Sequence, residues 1–400
     1  MGQKVRIVHI INSLTFGGAE AMLCSLLLRT DRDRFEPSVA ALIDDMSVAA
    51  PLAAAGIPVF TAGMKPGVAD PRGMVRLALH LGRKKPAIVQ TWMDHSNLIG
   101  GVAARAATTA KVVWGIHHSN HVKGVAKRTT LLTVAACATL SRRVPTRIVC
   151  CSEHARRVYG KNGFDGERMM VIPNGFDVAA FSPDAGARIL IRDELDIATD
   201  AIAIGLIARY DPLKDHAGFL HAAAIVARRF PSARFVLCGD RVDQKNRALM
   251  ATIESLGLGR QCRLLGARND VAKIYSALDI VASSSISEAF PLVVGEAMSC
   301  GVPCAVTDVG DSAMIVGDTG RVVLPGDAGA LASAMCELIS MGTESREKLG
   351  QHARRRVREL FDLGAVTRRY EALYDGLVSR EVRGDAVALE GLATKEPIPA

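Results

Sequence analysis

The feature that most constrains the fold of this chain is a strand–loop–helix unit that begins each of its two halves. The apolar run 4–11 is typical of a buried β-strand, and it is followed by a turn-rich loop, 12–18, and an amphipathic helix over about 19–28. The same order recurs in the segment 201–229. Strands that alternate with helices pair in parallel and are covered on both faces. The pattern therefore predicts an α/β chain with parallel sheets.

The alternation of strands and helices continues through both halves. The remaining strands are predicted at 38–42, 57–60, 88–90, 112–116, 147–151 and 169–172, and then at 234–238, 262–265, 280–283, 304–307 and 321–323. A length of 400 residues exceeds what one hydrophobic core usually serves, so two Rossmann-like domains are expected. Such sheets bind ligands beyond the carboxyl ends of their strands. Because the motif-rich loops lie at strand ends of this kind, the two sheets are predicted to face one cleft.

The domain boundary is predicted near 177–194, because Pro173, Gly175, Pro183 and Gly186 interrupt the periodic pattern there. The first domain is assigned to 1–178 and the second to 179–362. A last helix within 363–381 is expected to pack back on the first domain. The tail 382–400 has no firm hydrophobic period, which predicts disorder.

The nine cysteines are scattered through apolar stretches without the spacing of a zinc site. This usage is typical of buried thiols in a reducing compartment. The first residues lack the features of a signal peptide, and the longest later apolar run, 129–140, is shorter than the roughly 18 residues of a spanning helix. We therefore expect a cytoplasmic protein that is soluble or at most lies on a membrane face.

The segment 287–298 carries the strongest indication of a ligand site. Pro291 is predicted to occupy the first position of a helix, where its missing N–H costs nothing, and Phe290 before it has no oxygen with which to cap that helix. The amides of Leu292 and Val293 are then left unpaired at the positive end of the helix dipole. Such a helix start is a site for a diphosphate.

Two glutamates flank this helix start. If phosphates bind at the start, Glu296 lies a little over one turn further on, within reach of ribose hydroxyls, and Glu288 faces the group that the phosphates carry. The alternative is a solvated glutamate before the helix and a second one favoured by the dipole in its first turn. Both interpretations stay open at this point.

Two cations, Arg209 and Lys214, lie five residues apart in the loop that leaves the strand at 201–207. Negative charge grows on a diphosphate that leaves a sugar, and fixed cations aimed at it are worth a few kcal/mol each. The alternative is a pair of surface charges beside Asp211 and Asp215. The paired glycines after the first strand, within 16–20, also let backbone approach a ligand closely, but such turns are common.

Taken together, these segments resemble the retaining glycosyltransferases of family 4, whose GT-B fold has two facing Rossmann-like domains. The similarity extends across nearly the whole chain. The motifs that carry it are Gly17-Gly18-Ala19-Glu20, Ile172-Pro173-Asn174-Gly175-Phe176-Asp177, Arg209 with Lys214, Glu288 and Glu296 in an E-x7-E spacing, Cys300-Gly301-Val302-Pro303-Cys304, Thr307-Asp308-Val309-Gly310 and Gly317-Asp318-Thr319-Gly320.

The resemblance implies transfer of a sugar, with retention, from a nucleotide-diphosphate donor to a hydroxyl acceptor, without a metal or other cofactor. UDP is the most frequent carrier among such enzymes. The first domain would bind the acceptor and the second the donor. Glu288 would contact the donor sugar and Glu296 the ribose. The diphosphate would be held by the side chains of Arg209 and Lys214 and by amides of Gly17, Gly18, Leu292 and Val293.

The family usually has a histidine near the 6-hydroxyl of the sugar, after a strand of the first domain. Register favours His117 here, with His118 as the alternative, and a loop histidine that bonds backbone would look the same in sequence. Asp94 and His95 also follow a strand and are assigned to the acceptor, although a capping or packing role is equally open. His118 and, from the second motif, Asn174 are assigned to the acceptor as well.

Three positions near the glutamates depart from the family pattern. Pro291 stands where many members have glycine, Leu292 stands where others with proline have asparagine, and Ala289 replaces a frequent glycine. The sugar end of the pocket is expected to differ accordingly, so the identity of the donor stays open.

Other functions use similar folds. A nicotinamide oxidoreductase is disfavoured because no G-x-G-x-x-G follows a strand. An epimerase or phosphorylase on the same fold and a non-catalytic nucleotide-binding relative remain as alternatives. The acidic pair in 31–33 is interpreted as a solvated turn and not a metal site. The basic stretch 354–358 is interpreted as a solvated helix face, and with 4% aromatic residues nucleic acid is not an expected partner.

The net charge of +8 favours anionic partners. Basic residues accompany apolar helical stretches at 72–85 and 123–147, in the predicted acceptor domain. An anionic membrane surface is therefore a predicted partner, beside the nucleotide sugar. A glycan or lipid-linked acceptor, as in exopolysaccharide or lipopolysaccharide assembly, would place the protein at the inner face of the membrane.

Overall fold

The computed structural model describes residues 4–15, 17–65, 70–118 and 128–379, which contain two parallel sheets. The strands of the first sheet are β1 (Val5–Ile11), β2 (Phe35–Ile43), β3 (Val59–Met64), β4 (Ile88–Trp92), β5 (Lys111–Ile116), β6 (Arg147–Cys150) and β7 (Met169–Val171). Those of the second are β8 (Ala203–Ile207), β9 (Arg234–Cys238), β10 (Cys262–Leu264), β11 (Ile280–Ser283), β12 (Cys304–Thr307) and β13 (Arg321–Val323).

Helices cover both faces of each sheet. Those of the first half are α1 (Gly18–Arg29), α2 (Ala50–Ala54), α3 (Pro71–Lys84), α4 (Asp94–Ala107), α5 (Arg128–Leu140) and α6 (Glu153–Lys161). Those that follow are α7 (Ala185–Glu194), α8 (His216–Arg229), α9 (Arg247–Ser255), α10 (Val271–Ala277), α11 (Leu292–Ser299), α12 (Ser312–Val316), α13 (Ala328–Ser340), α14 (Thr343–Leu360) and α15 (Leu363–Ser379). Short 3-10 turns lie at Gly166–Arg168 and Pro212–Lys214.

The α/β prediction is confirmed. The predicted strands are present, with ends that shift by up to a few residues. The largest shift is in β3, which was expected at 57–60 and ends at Met64, because its pairing with β2 continues through a register shift after Ala41 to the pair Ile43–Met64. A β-bulge of this kind is not visible in a hydrophobic period.

The strand orders are β3-β2-β1-β4-β5-β6-β7 and β10-β9-β8-β11-β12-β13. In each sheet the order reverses beside the first strand, between β1 and β4 and between β8 and β11. Ligands of open parallel sheets bind in the crevice outside such a reversal point. The helices that start at the two crevices meet, because a Cβ added to Gly18 would lie 3.4 Å from Leu292 Cδ1.

The chain passes between the two halves at one place. Phe176 forms an isolated bridge with Asp362, its amide donates to the Phe361 carbonyl at 2.8 Å, and its carbonyl accepts from the Leu363 amide at 3.0 Å. From there α15 returns to the first sheet, where Tyr370 and Tyr374 are buried in the core that lines the α1 side. The predicted tail 382–400, like residues 380 and 381, lies outside the described residues.

The basic stretch in α14 corrects an expectation. Arg354 donates to the carbonyls of Phe181 at 3.0 Å and Val178 at 3.1 Å, and Arg356 donates to those of Ile315 at 3.0 Å and Met314 at 2.7 Å. These two arginines satisfy loop and helix-end carbonyls and do not form a solvated face. None of the helices in the described ranges combines the length and hydropathy that a membrane crossing requires.

Candidate functional site

Two helices start at the crevice, and the first of them, α1, follows β1. Gly17 is the N-cap of α1, with extended backbone, and no side chain caps the helix. A Cβ on Gly17 would lie 2.2 Å from a carboxylate oxygen of Glu20, so a larger residue would require that side chain to move. The first amides of α1 are therefore left to a ligand or to solvent. Phe16 lies outside the described residues.

The second helix start follows β11. Pro291 has φ −73° and ψ 104° and is the N-cap of α11, without a side-chain hydrogen bond to the helix. The prediction that Pro291 is the first helical residue is wrong by one position, because its ψ is extended while its carbonyl already accepts from the Val294 amide at 3.3 Å. The amides of Leu292 and Val293 are the first two of the helix and have no side-chain cap.

The loop after β8 is tied to the end of β11. Asp211 caps the 3-10 turn by accepting from the Leu213 amide at 2.9 Å. Ser284 Oγ donates to the carbonyls of Lys214 at 2.8 Å and Asp215 at 2.9 Å. The Ile286 amide completes the connection by donating to the Leu213 carbonyl at 2.8 Å. The backbone that carries Lys214 is thus held by the segment that leads to Glu288.

Lys214 and Glu288 form an ion pair across these two loops, with 22% and 12% of their side chains exposed. Ser285 Oγ donates to the same carboxylate oxygen of Glu288 at 2.8 Å. Two predicted site residues 74 positions apart are therefore in direct contact. The pair lies beside the start of α11, where a bound anion would compete with Glu288 for the ammonium group.

Arg209 lies at the open side of the same loop. Its side chain is 56% exposed and its Nε lies 3.3 Å from an Asp211 carboxylate oxygen. Burial raises the pKa of Glu20, on α1, and the charge of Arg209 opposes that shift across the crevice. Gly239, after β9, lets the backbone at Ala208 and Arg209 pack closely against it, because a Cβ on Gly239 would lie 2.1 Å from the Ala208 carbonyl oxygen.

Glu296 lies one turn into α11 and is half-buried. Tyr275 Oη donates to its carboxylate at 3.0 Å. Burial raises the pKa of Glu296 to about 7, and the bond from Tyr275 opposes the shift. Gly295 beside it lies against Phe176, since a Cβ there would be 2.0 Å from the ring. The sequence motif 172–177, which contains Phe176, therefore packs directly on α11, the helix that starts at the crevice.

His117 follows β5 at the first-domain side of the crevice. Its ring stacks on Trp92, with the centroids 4.4 Å apart and an interplanar angle of 17°. Trp92 Nε1 in turn donates to His9 Nδ1 at 3.2 Å. Burial lowers the pKa of His117 to about 3, while a contact with the Asn174 side chain opposes the shift. The imidazole is therefore neutral near pH 7.

Asp94 and His118 form a second cluster at the carboxyl ends of β4 and β5. The Asp94 carboxylate is only 1% exposed. It accepts from Tyr159 Oη at 2.9 and 3.0 Å and lies 2.9 Å from His118 Nε2. The Asp94 carboxylate is thus buried against Tyr159 and His118, which favours the packing role over direct contact with an acceptor. His95, the next residue on α4, is half-buried.

Sequence reasoning missed several of these partners. Ser284 and Ser285 belong to a serine-rich run after a buried strand, 283–287, and that run was an available indication of a polar site at a strand end. Tyr159 and Tyr275 gave no comparable indication, because isolated tyrosines in helices are typical of a core. Met93 has φ 74°, a left-handed conformation that is uncommon for methionine and often marks functional turns.

The described residues contain no group of three or more histidine, cysteine or acidic side chains arranged to hold a metal ion. The charged groups that the crevice does bring together are Arg209, Lys214, Glu288 and Glu20.

Two family models match the chain in succession. One, described as Glycosyltransferase Family 4, matches residues 16–180, and the other, Glycosyl transferases group 1, matches residues 187–356. Among curated proteins, the Escherichia coli UDP-Gal:alpha-D-GlcNAc-diphosphoundecaprenol alpha-1,3-galactosyltransferase is 26% identical over 252 residues, which are 62% of this chain and 65% of that protein. A D-inositol 3-phosphate glycosyltransferase of Mycobacterium tuberculosis is 28% identical over 62% of this chain and 53% of its own length. The matches thus span less than two thirds of either relative.

Solved structures match over more of the chain. Anabaena HepE in complex with UDP-glucose superposes with a TM-score of 0.81 at 22% identity, over 93% of this chain and 99% of that one. Sucrose-phosphate synthase from Thermosynechococcus elongatus superposes with a TM-score of 0.79 at 18% identity, over 94% and 100%. The two family models match the first and second halves of the fold in succession, and this chain belongs to the family 4 glycosyltransferases with the GT-B architecture.

Proposed function

We propose that this protein transfers a sugar, with retention of configuration, from a nucleotide diphosphate to a hydroxyl group of a glycan or lipid-linked acceptor. One observation carries the proposal. The uncapped starts of α1 and α11 meet at the crevice, where a Cβ built on Gly18 would lie 3.4 Å from Leu292 Cδ1, next to Arg209 and Lys214. Two positive helix ends and two cations form a site for a strongly anionic group.

The diphosphate would bind at this site and leave from it. Cleavage of the bond between sugar and phosphate places negative charge on the departing oxygen, where the amides of Leu292 and Val293 and the Lys214 ammonium would receive it. Groups held in place before the reaction stabilise such charge without reorganising. Lys214 is held in this way, because Ser284 fixes its backbone and Glu288 its side chain. In this proposal no metal ion is needed to balance the charge.

Glu288 would act on the sugar. Its carboxylate is bound by Ser285 and Lys214 and is 12% exposed, so its position is defined on the crevice side of the α11 start. A carboxylate there stabilises the positive charge that develops at the reacting carbon. Retention in one step requires the acceptor to enter on the face from which the diphosphate departs. The departing phosphate oxygen is then the nearest base for the proton of the acceptor hydroxyl.

Glu296 and His117 would bind hydroxyl groups. Glu296, with a pKa of about 7, would accept from ribose hydroxyls when ionised. The neutral imidazole of His117, with its plane set by Trp92, can accept a hydrogen bond from a sugar hydroxyl or donate one to it. Glu296 already accepts from Tyr275, whereas both ring nitrogens of His117 are buried without a hydrogen-bond partner among the described residues and are left for a ligand.

UDP is the proposed nucleotide. The E. coli relative is named for UDP-Gal, and the Anabaena structure is a complex with UDP-glucose. The test is a thermal-shift screen of UDP-, GDP- and ADP-glucose, UDP-galactose and UDP-GlcNAc. A ligand that binds only the native state raises Tm by mass action, by several degrees at about 100 times its Kd. A shift that is largest for a UDP-sugar and is lost in Lys214→Met but kept in Lys273→Met, an exposed lysine of the same domain, supports the proposal. Equal shifts in both variants contradict the site.

Turnover separates transfer from the chemistry of an epimerase or a phosphorylase. The nucleotide sugar that raises Tm most is incubated with and without membrane lipids that carry a diphosphate-linked sugar, and UDP release is measured. Release that requires the lipid supports transfer to an acceptor. Release that requires inorganic phosphate, or interconversion of the sugar without release, contradicts it.

We also propose that the protein lies on an anionic membrane surface, at the inner face. On α3 one exposed stripe combines Val75 and Leu79 with Arg72, Arg76 and Arg83. On α5, which packs against α4 as α3 does, Leu131 and Leu132 are exposed too. Apolar side chains among cations suit the boundary between headgroups and acyl chains.

Co-sedimentation with vesicles tests this surface. Wild-type protein is expected to sediment with phosphatidylglycerol vesicles more than with phosphatidylcholine vesicles, and less as salt is raised. Neutralising Arg83, Lys84 and Lys85 to glutamine should abolish the difference, and Val75→Ser with Leu79→Ser should weaken binding even at low salt. The matched control neutralises Arg228, Lys245 and Arg247, exposed cations of the second domain. Equal loss in the control, or no loss in either, contradicts the proposal.

A further inference from the structure

One carboxylate of the second domain, that of Asp311, accepts hydrogen bonds from the first domain. Asp311 is the N-cap residue of α12 but makes no side-chain hydrogen bond to that helix. Its two oxygens accept instead from the backbone amides of Glu153 at 2.9 Å and His154 at 3.0 Å, the first two residues of α6. The side chain is 4% exposed. An aspartate at an N-cap normally bonds its own helix, so this one is directed at another domain.

The start of α6 is completed from both domains. Its own N-cap, Ser152, accepts from the Ala155 amide at 2.9 Å through its hydroxyl oxygen. The amides of Glu153 and His154 are left for Asp311. Because these amides lie at the positive end of the helix dipole, a carboxylate is the partner that suits them best. Separation of the domains would leave both amides and a carboxylate to be hydrated.

The same segment is fixed to the backbone of the proposed sugar site. The Asp311 amide donates to the Ala289 carbonyl at 3.1 Å. Gly310 has φ +61°, and a Cβ there would lie 2.6 Å from the carbonyl oxygens of both Glu288 and Ala289. Only glycine allows this approach. The backbone next to Glu288 is thus connected to the contact with α6 by the hydrogen bond between the Asp311 amide and the Ala289 carbonyl.

We infer that Asp311 is a positioning residue that couples contact between the two domains to the placement of Glu288. When Asp311 binds the start of α6, the loop 308–311 holds the Glu288–Ala289 carbonyls in register with the first domain, where the acceptor would bind. The contact therefore contributes to turnover more than to nucleotide binding, which involves the α11 start and Lys214. The prediction about turnover rests on the proposed function, whereas the contact itself does not.

The variants separate the contact from its surroundings. Glu153→Pro removes one donor amide, and proline is tolerated at the first position of a helix. Ser152, with φ −158° and ψ 155°, already has the extended backbone that a following proline requires. Glu153→Ala keeps the amide and is the matched control. Ala185→Pro, at the first position of α7, controls for proline itself. Asp311→Asn removes the carboxylate charge, with Asp308→Asn, an exposed neighbour, as its control.

Hydrogen exchange of the full chain measures the contact, with UDP binding by calorimetry and UDP release from UDP-glucose as the functional measurements. In Asp311→Asn the amides at the start of α6 should exchange faster, and those of Asp308→Asn should exchange as in the wild type. Glu153→Pro and Asp311→Asn should each lower turnover about tenfold or more, with a change in the Kd for UDP below about threefold. The double variant should be no slower than the slower single one.

Three results would overturn the inference. Turnover of Glu153→Pro equal to that of Glu153→Ala would show that the donated amide does not matter for the reaction. Loss of UDP binding in parallel with turnover would show a general disturbance of the second domain. If wild-type protein does not turn over UDP-glucose, the proposed donor fails, and unchanged exchange at the start of α6 in Asp311→Asn would still refute the contact separately.

Discussion

The pair of Lys214 and Glu288 should respond differently in stability and in turnover. Lys214→Met removes the ammonium and keeps most of the side-chain volume, Glu288→Gln removes the carboxylate charge, and the double variant removes both. In the folded protein the two charges neutralise each other, so removing one leaves the other without its opposite charge. In the proposed reaction they act on different parts of the donor, the diphosphate and the sugar. Removing the second charge therefore cannot restore what the first contributed.

The structure sets the magnitudes. Unit charges about 4 Å apart attract by about 4 kcal/mol near a protein surface, before desolvation and side-chain ordering are subtracted. With side chains exposed by 22% and 12%, the pair is screened in part. Loss of one partner should lower the free energy of unfolding by about 1–3 kcal/mol. A fixed group aimed at developing charge contributes about 3–4 kcal/mol, so each single variant should lose about 100-fold or more in turnover.

Denaturant unfolding without ligand and initial rates of UDP release measure the two quantities. We expect the double variant to unfold closer to the wild type than either single variant, while its turnover stays at least as low as theirs. Lys273→Met, an exposed lysine of the same domain, should match the wild type in both measurements. Turnover that recovers along with stability in the double variant would refute the argument, because it would mean that the pair acts only as a structural contact.

Two further changes test the α11 helix. Burial raises the pKa of Glu296 to about 7, so the native state binds a proton more readily than the unfolded state, and the stabilising share of Glu296 is lost as pH rises from about 4.5 through 7. Glu296→Gln should therefore gain in Tm relative to the wild type between pH 5 and pH 8 in differential scanning calorimetry, and a constant difference would contradict this origin of the shift. Gly295→Ala should cost about 1–3 kcal/mol in denaturant unfolding, because its Cβ would overlap the Phe176 ring. Gly376→Ala, on α15 with no atom within 4 Å of its Cβ, should be neutral or stabilising, and equal effects of the two would contradict the packing argument.

The fold was predictable because its determinants are local. Strands such as β9 and β11 agree with prediction at both ends, since a buried parallel strand is a continuous apolar run between turn residues. The end of β3 was not predictable, because it depends on a bulge in which β3 has one residue more than β2 between the pairs Ala41–Thr61 and Ile43–Met64. The exact cap of α11 was missed by one residue for a related reason: the ψ of Pro291 is set by its surroundings, whereas proline itself restricts only φ.

The site was predictable only as far as motifs reach. Glu288 and Lys214 could be named from sequence, but their contact joins residues 74 positions apart and appears only in the fold. The burial of Asp94 depends on Tyr159, 65 positions away, and favours one of two interpretations that the sequence left equally open. Asp311 shows the limit most clearly, since its sequence position predicts a cap for its own helix and its side chain caps another.

The division of the anion site between two domains has a consequence for the order of events. The field of a helix end falls off within about one turn, so the start of α1 can act on a diphosphate at the start of α11 only while Gly18 and Leu292 stay close together. Lys214, Arg209 and α11 all belong to one domain, so in the proposed site they would bind the nucleotide without the other domain. Donor binding should therefore tolerate separation of the domains, whereas departure of the diphosphate should not. In the proposed reaction, a site built in this way would delay charge separation on the donor until the domain proposed to bind the acceptor is in place, which would limit loss of the sugar to water.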